Sequence, residues 1–548
     1  MPDTMQNQRL TTYDAIIVGA GFAGLYMLHR LRAMGLSVMV FEAGDGIGGT
    51  WYWNRYPGAR CDVESMQYSY SFLSELQQDW KWSKRFASQP EILAYANHVA
   101  DRLDLRRDIQ FDTRIEAAFF DEANNRWNVR TSTGENLSAQ FCIMATGCLS
   151  NARTPDFKGL ENFAGKTYHT GQFPHEGVDF TGLRVAVVGT GSSAIQAIPV
   201  IAEQAAHLTV FQRTPNFSIP SRNKDMDAEY EQWWKSDYPA HRQLARHSRN
   251  GILNLPNDKS AMEVSPQERQ RTYEERWALG GTSFMASFND LAINKDSNDT
   301  AVAFVHNKIR QTVKDQAVAE LLLPKNHPIG TKRICVDTNY YQVYNKPNVL
   351  LVDIKNAPIE AITATGLRTG GKDYEVDCIV FATGFDAMTG SLLKIDIRGR
   401  AGRTIADKWE AGPRTYLGLM TEGFPNLFLI TGPGSPSVLS NMIVSIEQHV
   451  DWVAGCIQDL HTRRVASIEA TNDAETNWVA HVNEVAYRTL YPQANSWYMG
   501  ANIPGKPRIF MPYIGGVGAY REKCDAIAAQ GYEGFRLAEV SVTSAAAE

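Results

Sequence analysis

The segment YDAIIVGAGFAG at residues 13–24 decides the fold that the sequence predicts. Its first half is a short apolar run, which predicts a buried strand. Gly19, Gly21 and Gly24 follow with the spacing G-x-G-x-x-G, and the next stretch, LYMLHRLRAMG, has helical character. A strand, a glycine-rich turn and a helix in this order form the phosphate-binding half of a dinucleotide site.

Each glycine of this loop has a mechanical role. Gly19 permits the tight turn, Gly21 lets the backbone approach a pyrophosphate, and Gly24 permits close packing of helix on strand. A second apolar run ends at Glu42, eighteen residues past Gly24. A carboxylate at this position accepts hydrogen bonds from ribose hydroxyls. The first unit therefore predicts a dinucleotide with a free ribose.

Residues 183–213 repeat the same plan. The strand LRVAVV leads into the loop GTGSSA at residues 189–194, a helical stretch and the strand LTVF. Arg213 lies nineteen residues past this loop, where the first unit has Glu42. An arginine pairs with a 2′-phosphate that an acid would repel. Unless Arg213 is an ordinary surface arginine, the second unit predicts an NADPH site.

The composition is that of an ordinary globular protein. The chain has 548 residues, 44% hydrophobic and 21% charged, with a net charge of −6. This length predicts two or three domains, and the charge gives no reason to expect nucleic-acid or membrane binding. Seven cysteines without a C-x-x-C pair argue against a structural zinc site or a disulfide framework. The polar N-terminus lacks an apolar signal core, so we expect a cytoplasmic protein. We also expect neither a bound metal nor an obligate protein partner.

Two similar segments mark places where the chain passes between domains. FCIMATG at residues 141–147 follows the first unit, and CIVFATG at residues 378–384 follows the second. We therefore expect an α/β fold with two Rossmann-like domains, one inserted in the other, and a polar helical subdomain. The expected bounds are 1–150 and 386–548 for the FAD-binding domain, 151–223 and 325–385 for the NADPH-binding domain, and 224–324 for the helical subdomain.

A distinctive motif lies just beyond Glu42. Disulfide reductases of the two-dinucleotide plan carry a redox cysteine pair in this region, whereas this chain has only Cys61. The segment instead resembles the G-x-W-x-x-x-x-Y-P-G-x-x-x-D motif of type I Baeyer–Villiger monooxygenases. The fixed places are filled by Gly49, Trp51, Tyr56, Pro57, Gly58 and Asp62.

A second motif of that family, F-x-G-x-x-x-H-x-x-x-W-[PD], is matched by residues 163–174. Phe173 replaces the tryptophan, which keeps aromatic packing but loses an indole N–H donor. We expect this change to affect the coupling of the two cofactors and not the reaction class. Without the resemblance, His169 is most simply a packed linker histidine. The resemblance covers almost the whole chain and looks nearest to phenylacetone and steroid monooxygenases.

The resemblance implies a reaction. In this family NADPH reduces FAD, O₂ adds to give a C4a-peroxyflavin, and the unprotonated peroxide converts a ketone to an ester or lactone. By resemblance Arg333 is the cation that stabilises the anionic species, and Asp62 holds its orientation. The expected substrates are aryl, cyclic or bulky ketones.

The resemblance also implies the residues that contact the cofactors and the substrate. Expected cofactor contacts around the first loop are Ala23, Glu42, Gly49, Thr50, Trp51, Tyr52, Trp53, Arg60, Cys61, Asp62, Tyr68 and Met442. Expected contacts around the second loop are Gly189, Thr190, Gly191, Ser192, Ser193, Ala194, Arg213, Thr214, Lys332 and Arg333. The expected substrate pocket contains Ser437, Val438, Leu439 and Trp497.

Other functions remain open at this point. A flavin-dependent N- or S-oxygenase shares both glycine loops but uses a protonated peroxide. A plain NADPH-dependent reductase would need the missing cysteine pair. A non-catalytic nucleotide-binding module does not explain two matched loops.

Overall fold

The computed structural model describes residues 10–153, 155–253 and 256–539. The expectation about the polar N-terminus concerns mainly residues 1–9, which lie outside the described residues. In the described ranges, no helix has both the length and the apolar character needed to cross a membrane.

The described chain alternates strands and helices. The strands are β1 (Thr11–Val18), β2 (Val38–Phe41), β3 (Ile109–Gln110), β4 (Ile115–Asp121), β5 (Arg126–Thr131), β6 (Asn136–Met144), β7 (Lys166–His169), β8 (Arg184–Val188), β9 (His207–Gln212), β10 (Ser218–Pro220), β11 (Cys335–Asp337), β12 (Val349–Asp353), β13 (Ile359–Thr363), β14 (Gly366–Thr369), β15 (Lys372–Glu375), β16 (Cys378–Phe381), β17 (Asp396–Arg398), β18 (Leu427–Leu429), β19 (Val465–Ala470) and β20 (Phe535–Glu539). The α-helices are α1 (Phe22–Ala33), α2 (Thr50–Trp53), α3 (Ser74–Asp79), α4 (Gln89–Arg102), α5 (Ser192–Gln204), α6 (Ala228–Ser236), α7 (Tyr238–His247), α8 (Pro266–Leu279), α9 (Lys295–Thr312), α10 (Gln316–Leu322), α11 (Tyr340–Val343), α12 (Ile405–Lys408), α13 (Met442–Arg463), α14 (Asn472–Tyr487) and α15 (Val517–Ala529).

The first sheet has eight strands, and β1 lies inside it between β2 and β6. Both pairings of β1 are parallel. Successive side chains of a strand point to opposite faces, and both faces of β1 are covered. Ile17 belongs to the core formed with α1 and α13, and Ile16 belongs to the opposite core, which contains Ile405. This double burial explains why the strand is a continuous apolar run rather than an alternating one.

The second sheet has five parallel strands in the order β12-β9-β8-β16-β7. Val185 and Val187 face α5, while Ala186 and Val188 face a core shared with the antiparallel hairpins β13 to β15. The glycine loop follows β8, just as the first glycine loop follows β1. The predicted α/β fold with two dinucleotide-binding domains is confirmed.

The second sheet is inserted into the first. The chain leaves the first sheet after β6 and returns to it at β17, and β7 to β16 lie between these strands. The two crossing segments run side by side. The Arg153 N–H donates to the Gly384 carbonyl at 2.9 Å, and the Asp386 N–H donates to the Asn151 carbonyl at 2.9 Å. The exact domain bounds given above stay a prediction.

The helical segment 224–324 is divided between the two cores. Trp234 and Tyr238 pack in the core that contains α1. Tyr273 and Phe304, in contrast, pack in the core that contains α5. The segment therefore bridges the two domains instead of forming a core of its own.

Close packing makes Gly24 irreplaceable in the first glycine loop. A Cβ atom at Gly24 would lie 1.9 Å from the carbonyl oxygen of Gly19. Gly19 itself has φ of +104°, a conformation that favours glycine. The loop therefore fixes both the turn and the distance between α1 and β1.

We expect Gly24→Ala to lower the melting temperature, because an added methyl group in a tight contact costs about 1–3 kcal/mol or more. Gly455→Ala is the matched control. Gly455 is exposed inside α13, and a Cβ atom there would meet nothing within 4 Å. This control should gain about 0.5–1 kcal/mol from helix propensity. Thermal unfolding followed by circular dichroism measures both, and similar shifts for the two variants would contradict the packing argument.

Candidate active site

The first glycine loop leaves the N-terminus of α1 open. Gly21 is the N-cap of α1, and no side chain caps this end. A Cβ atom at Gly21 would lie 3.3 Å from the Cα atom of Gly49, so the two loops approach closely. Backbone N–H groups and the helix dipole at such an end favour a pyrophosphate. The loop therefore fits an FAD diphosphate.

The Glu42 carboxylate accepts hydrogen bonds from the backbone of the first glycine loop and of the segment that follows β2. Its carboxylate accepts the N–H of Ala20 at 2.7 Å and the N–H of Gly44 at 3.0 Å. Burial raises the pKa of Glu42, and the backbone N–H donors oppose this shift. Each carboxylate oxygen can accept a further hydrogen bond. The expected contact of Glu42 with the ribose stays a prediction. Its hydrogen bonds to the backbone of Ala20 and Gly44 also stabilise the loop, a role that the sequence did not indicate.

The other residues expected near FAD surround the first loop. Trp51 donates its indole N–H to the Tyr68 hydroxyl at 3.1 Å. Tyr52 hydrogen-bonds to Asp45. Trp51 and Tyr52 both lie on the short helix α2, between Thr50 and Trp53. Ala23 is buried on α1, and Met442 begins α13.

The second glycine loop is similarly open. Gly191 is the N-cap of α5 without a side-chain cap, and a Cβ atom there would meet nothing within 4 Å. The Thr190 hydroxyl donates to the Thr214 carbonyl at 2.9 Å and fixes the loop beside the end of β9. Ser192 and Ser193 begin α5, and Ala194 is buried beneath them. The loop fits a second diphosphate.

Two cations lie together beside this second loop. Burial and the charge of Arg213 both lower the pKa of Lys332. Arg213 is exposed and Lys332 is half-buried. Within the described ranges, neither side chain forms an ion pair with a carboxylate. Close cations without a counter-ion form a binding site for an anion, and a 2′-phosphate fits this requirement.

Arg333 forms a bidentate ion pair with Asp62. Its Nε donates to Oδ2 of Asp62 at 2.8 Å, and Nη2 donates to Oδ1 at 2.8 Å. Nη1 donates to the Val438 carbonyl at 2.7 Å. The Asp62 carboxylate raises the pKa of Arg333 further above its ordinary value. A permanent, rigidly oriented positive charge is the result.

Tyr498 lies beside this guanidinium and was not among the residues that the sequence indicated. It is 2% exposed, and its ring centroid is 4.2 Å from that of Trp497. Burial raises the pKa of Tyr498, and the charge of Arg333 opposes this shift. The only sequence signal was its position next to Trp497.

The expected substrate loop is a buried turn. Ser437, Val438 and Leu439 form one 3₁₀ turn. Ser437 is fully buried with φ of +37°, and its hydroxyl lies 3.0 Å from the Cys148 sulfur. A backbone conformation of this kind persists only where the surroundings enforce it.

The motif around Tyr56 docks the two domains together. The Tyr56 hydroxyl donates to Oε1 of Gln196 at 2.8 Å, and Nε2 of Gln196 donates to the Arg60 carbonyl at 3.2 Å. Gly58 has φ of +81°, and a Cβ atom there would lie 2.4 Å from the Gln196 carbonyl oxygen. Gln196 was missed because it lies in the apolar middle of α5, where the sequence gives no sign of a contact with the other domain.

Cys61 and its fellow cysteines are structural here. All seven cysteines are free and buried. Burial, the largest cause, raises the pKa of Cys61 far above its usual range. Since thiolates are the reactive form, burial keeps Cys61 in its unreactive thiol form.

His169 joins the two crossing segments. The Gly171 N–H donates to Nδ1 of His169 at 3.0 Å, so the proton lies on Nε2, which is 3.1 Å from the Thr383 hydroxyl. Thr383 in turn donates to the Arg153 carbonyl at 2.8 Å. Burial lowers the pKa of His169, which keeps it neutral. Phe173 is 3% exposed within the core of the second domain.

Comparison with protein families gives one match to more than half of the chain. A family model described as pyridine nucleotide-disulphide oxidoreductase matches residues 16–315.

Several characterised proteins are similar over nearly their whole length. A Baeyer–Villiger monooxygenase of Pseudooceanicola batsensis is 43% identical over 527 residues, 95% of each chain. An acetone monooxygenase (methyl acetate-forming) of Gordonia sp. is 42% identical, with 96% of this chain and 99% of the relative covered. A phenazine N-monooxygenase of Lysobacter antibioticus is 41% identical, with 96% and 97% covered.

Solved structures agree with this fold. A steroid monooxygenase bound to NADP is 55% identical and superposes with a TM-score of 0.93, covering 97% of this chain and 100% of that chain. An OTEMO complex with FAD and NADP is 40% identical with the same TM-score of 0.93 and the same coverage.

We expect Arg213→Ala to weaken NADPH binding by about 1.5–3 kcal/mol, because a charge-assisted bond to the 2′-phosphate is lost. NADH lacks this phosphate, so its kcat/KM should not change. Arg271→Ala is the control, since Arg271 is exposed and, among the described residues, pairs only with Glu275 one turn away. Equal kcat/KM for NADPH and NADH in the unmodified protein would contradict the assignment of the second site.

Proposed function

The chain belongs to the Baeyer–Villiger monooxygenases, and from this membership we propose that it converts a ketone to an ester or lactone beside Arg333, with FAD, NADPH and O₂. The observation that carries the proposal is the bidentate pair of Arg333 and Asp62, which joins the two domains that carry the open glycine loops. Bound FAD and NADPH supply the reducing equivalents and the activation of O₂.

The residues fit both cofactors. The open N-termini of α1 and α5 would hold the two diphosphates. Arg213 and Lys332 would hold the 2′-phosphate, because no carboxylate of the described residues neutralises them. Trp51 and Tyr68 would support the flavin side.

Arg333 supplies fixed positive charge where the reaction develops negative charge. When a nucleophile adds to a ketone, the carbonyl oxygen becomes an oxyanion, and a preorganised cation stabilises it. Arginine does not lose its proton at working pH. Asp62 occupies two donors of the guanidinium, so the remaining donors keep one orientation. Val438 accepts one of these remaining donors and ties the cation to the substrate loop.

The protein also excludes water from the reacting groups. Tyr498 and Val438 belong to one buried cluster, and Ser437 lies fully buried beside it. Exclusion of water strengthens the field of Arg333 and prevents side reactions. The absence of an obligate protein partner and the cytoplasmic location stay predictions.

Aryl, cyclic or bulky ketones are the proposed substrates. Relatives include enzymes named for acetone, cyclohexanone and cyclopentanone. One relative is named a phenazine N-monooxygenase, so N-oxygenation is the competing reaction. Product analysis with a ketone, a thioether and an aromatic amine distinguishes the two, because a ketone oxygenase forms the ester in preference.

We expect Arg333→Ala to bind FAD but to form ester at least about 10²–10³ times more slowly, because an electrostatic stabiliser of the oxyanion is lost. Arg333→Lys should recover little of this, since an ammonium cannot form the planar fork that Asp62 holds. The measurement is ester formed per NADPH consumed, with flavin occupancy checked by absorbance.

Arg368→Ala is the matched control for this experiment. Arg368 forms a second bidentate pair, with Asp373, but on the exposed hairpin of β14 and β15. Its loss should leave the ester yield unchanged. A flavin-loaded Arg333→Ala variant with near-parental ester formation would show that the oxyanion is stabilised elsewhere.

A further inference from the structure

A cleft of about 480 Å³ lies where α7, α14 and α15 meet. Its apolar wall contains Ile293, Val485 and Ile514. Its charged groups are the guanidinium groups of Arg249 and Arg488, and His247 also lies in it. None of the described residues that form this cleft is an aspartate or a glutamate. The cleft therefore combines apolar surface with positively charged guanidinium groups.

The backbone at Arg249 is fixed beside the substrate loop. The Arg249 carbonyl accepts the Val517 N–H at 2.9 Å, at the start of α15. The next carbonyl, that of Asn250, accepts the Asn441 N–H at 2.8 Å, two residues past Leu439. These two bonds attach the segment to the first domain and hold Arg249 next to the expected substrate pocket.

The cleft and the candidate active site share one wall. Ile514 belongs to the same buried cluster as Val438 and Tyr498. Tyr491 packs against this cluster, with its ring centroid 5.9 Å from that of Tyr498. Burial raises the pKa of Tyr491, and the charges of Arg249 and Arg333 both oppose this shift.

The two arginines of the cleft differ in their partners. Arg488 pairs with Glu484, one turn earlier on the same exposed surface. Arg249 is exposed, and among the described residues it forms no ion pair and no side-chain hydrogen bond. A free guanidinium beside apolar surface is suited to bidentate recognition of a carboxylate on an otherwise apolar molecule.

We propose that this cleft binds an anionic group, a carboxylate, carried by the ketone substrate at a distance from its carbonyl, and that Arg249 is the residue that recognises it. This inference rests on the proposed function, because it takes a ketone to be the substrate. It narrows the substrate class to oxo acids.

The test compares an aryl ketone that bears a remote carboxylate with the methyl ester of the same compound and with the parent ketone without the substituent. The unmodified holoenzyme should convert the acid with the highest kcat/KM. Arg249→Gln should lower kcat/KM for the acid by about 10- to 100-fold, mainly through KM, since a charge-assisted contact is lost. The values for the methyl ester and the parent ketone should not change. Arg271→Gln, a surface arginine outside the cleft, should leave all three unchanged.

The outcomes separate this inference from the proposed function. If the parent ketone gives ester but the acid is not preferred, the inference is wrong and the proposed function stands. An equal loss on all three compounds in Arg249→Gln would show a structural role for Arg249 and overturn the inference. Stimulation of the parent ketone by free benzoate would assign the cleft to a separate anion and overturn it as well. If none of the three ketones is oxygenated, the proposed function itself fails.

Discussion

The ion pair of Asp62 and Arg333 joins residues 271 positions apart in the chain. Asp62 is the last residue of the motif that borders the first glycine loop, and Arg333 lies next to Lys332 beside the second. A bidentate pair requires both partners in one plane at hydrogen-bond distance. The pair can therefore form only when the two dinucleotide-binding domains have one particular relative orientation. The Tyr56–Gln196 contact and the paired crossing segments provide that orientation.

The Asp62–Arg333 pair contributes more to the orientation of the guanidinium group than to the free energy of unfolding. Partial burial of an arginine and an aspartate costs desolvation energy that their attraction roughly offsets. The benefit lies in the orientation of the guanidinium, which is fixed on one edge by Asp62 and on another by Val438. The same cation thus connects the first domain, the second domain and the substrate loop.

Local rules predicted the fold well and the site only in part. The strand, glycine turn and helix of each unit lie within about thirty residues, so spacing alone indicated both loops and the difference between Glu42 and Arg213. The pairing of Asp62 with Arg333 has no local signal, and only the resemblance to a family indicated it. Gln196 and Tyr498 were missed because one polar or aromatic residue without a motif of its own is typical of ordinary packing. Helical periodicity indicated helices in 224–324, but it cannot indicate which core an apolar face meets, and the structure divides them between two.

The paired crossing segments have a mechanical consequence. The chain enters and leaves the second domain at one place, where Arg153 is hydrogen-bonded to Gly384 and Asp386 to Asn151. These two adjacent crossings define a line that could serve as a hinge axis between the domains. Chain connectivity alone would permit rotation of the second domain about this line, and the Tyr56–Gln196 contact and the Asp62–Arg333 pair restrain that rotation. Each sheet would keep its internal geometry during such a swing, while the gap between Asp62 and Arg333 would open or close. His169 and Thr383 lie at this line, and their hydrogen bonds to each other and to the Arg153 carbonyl would restrain the same rotation.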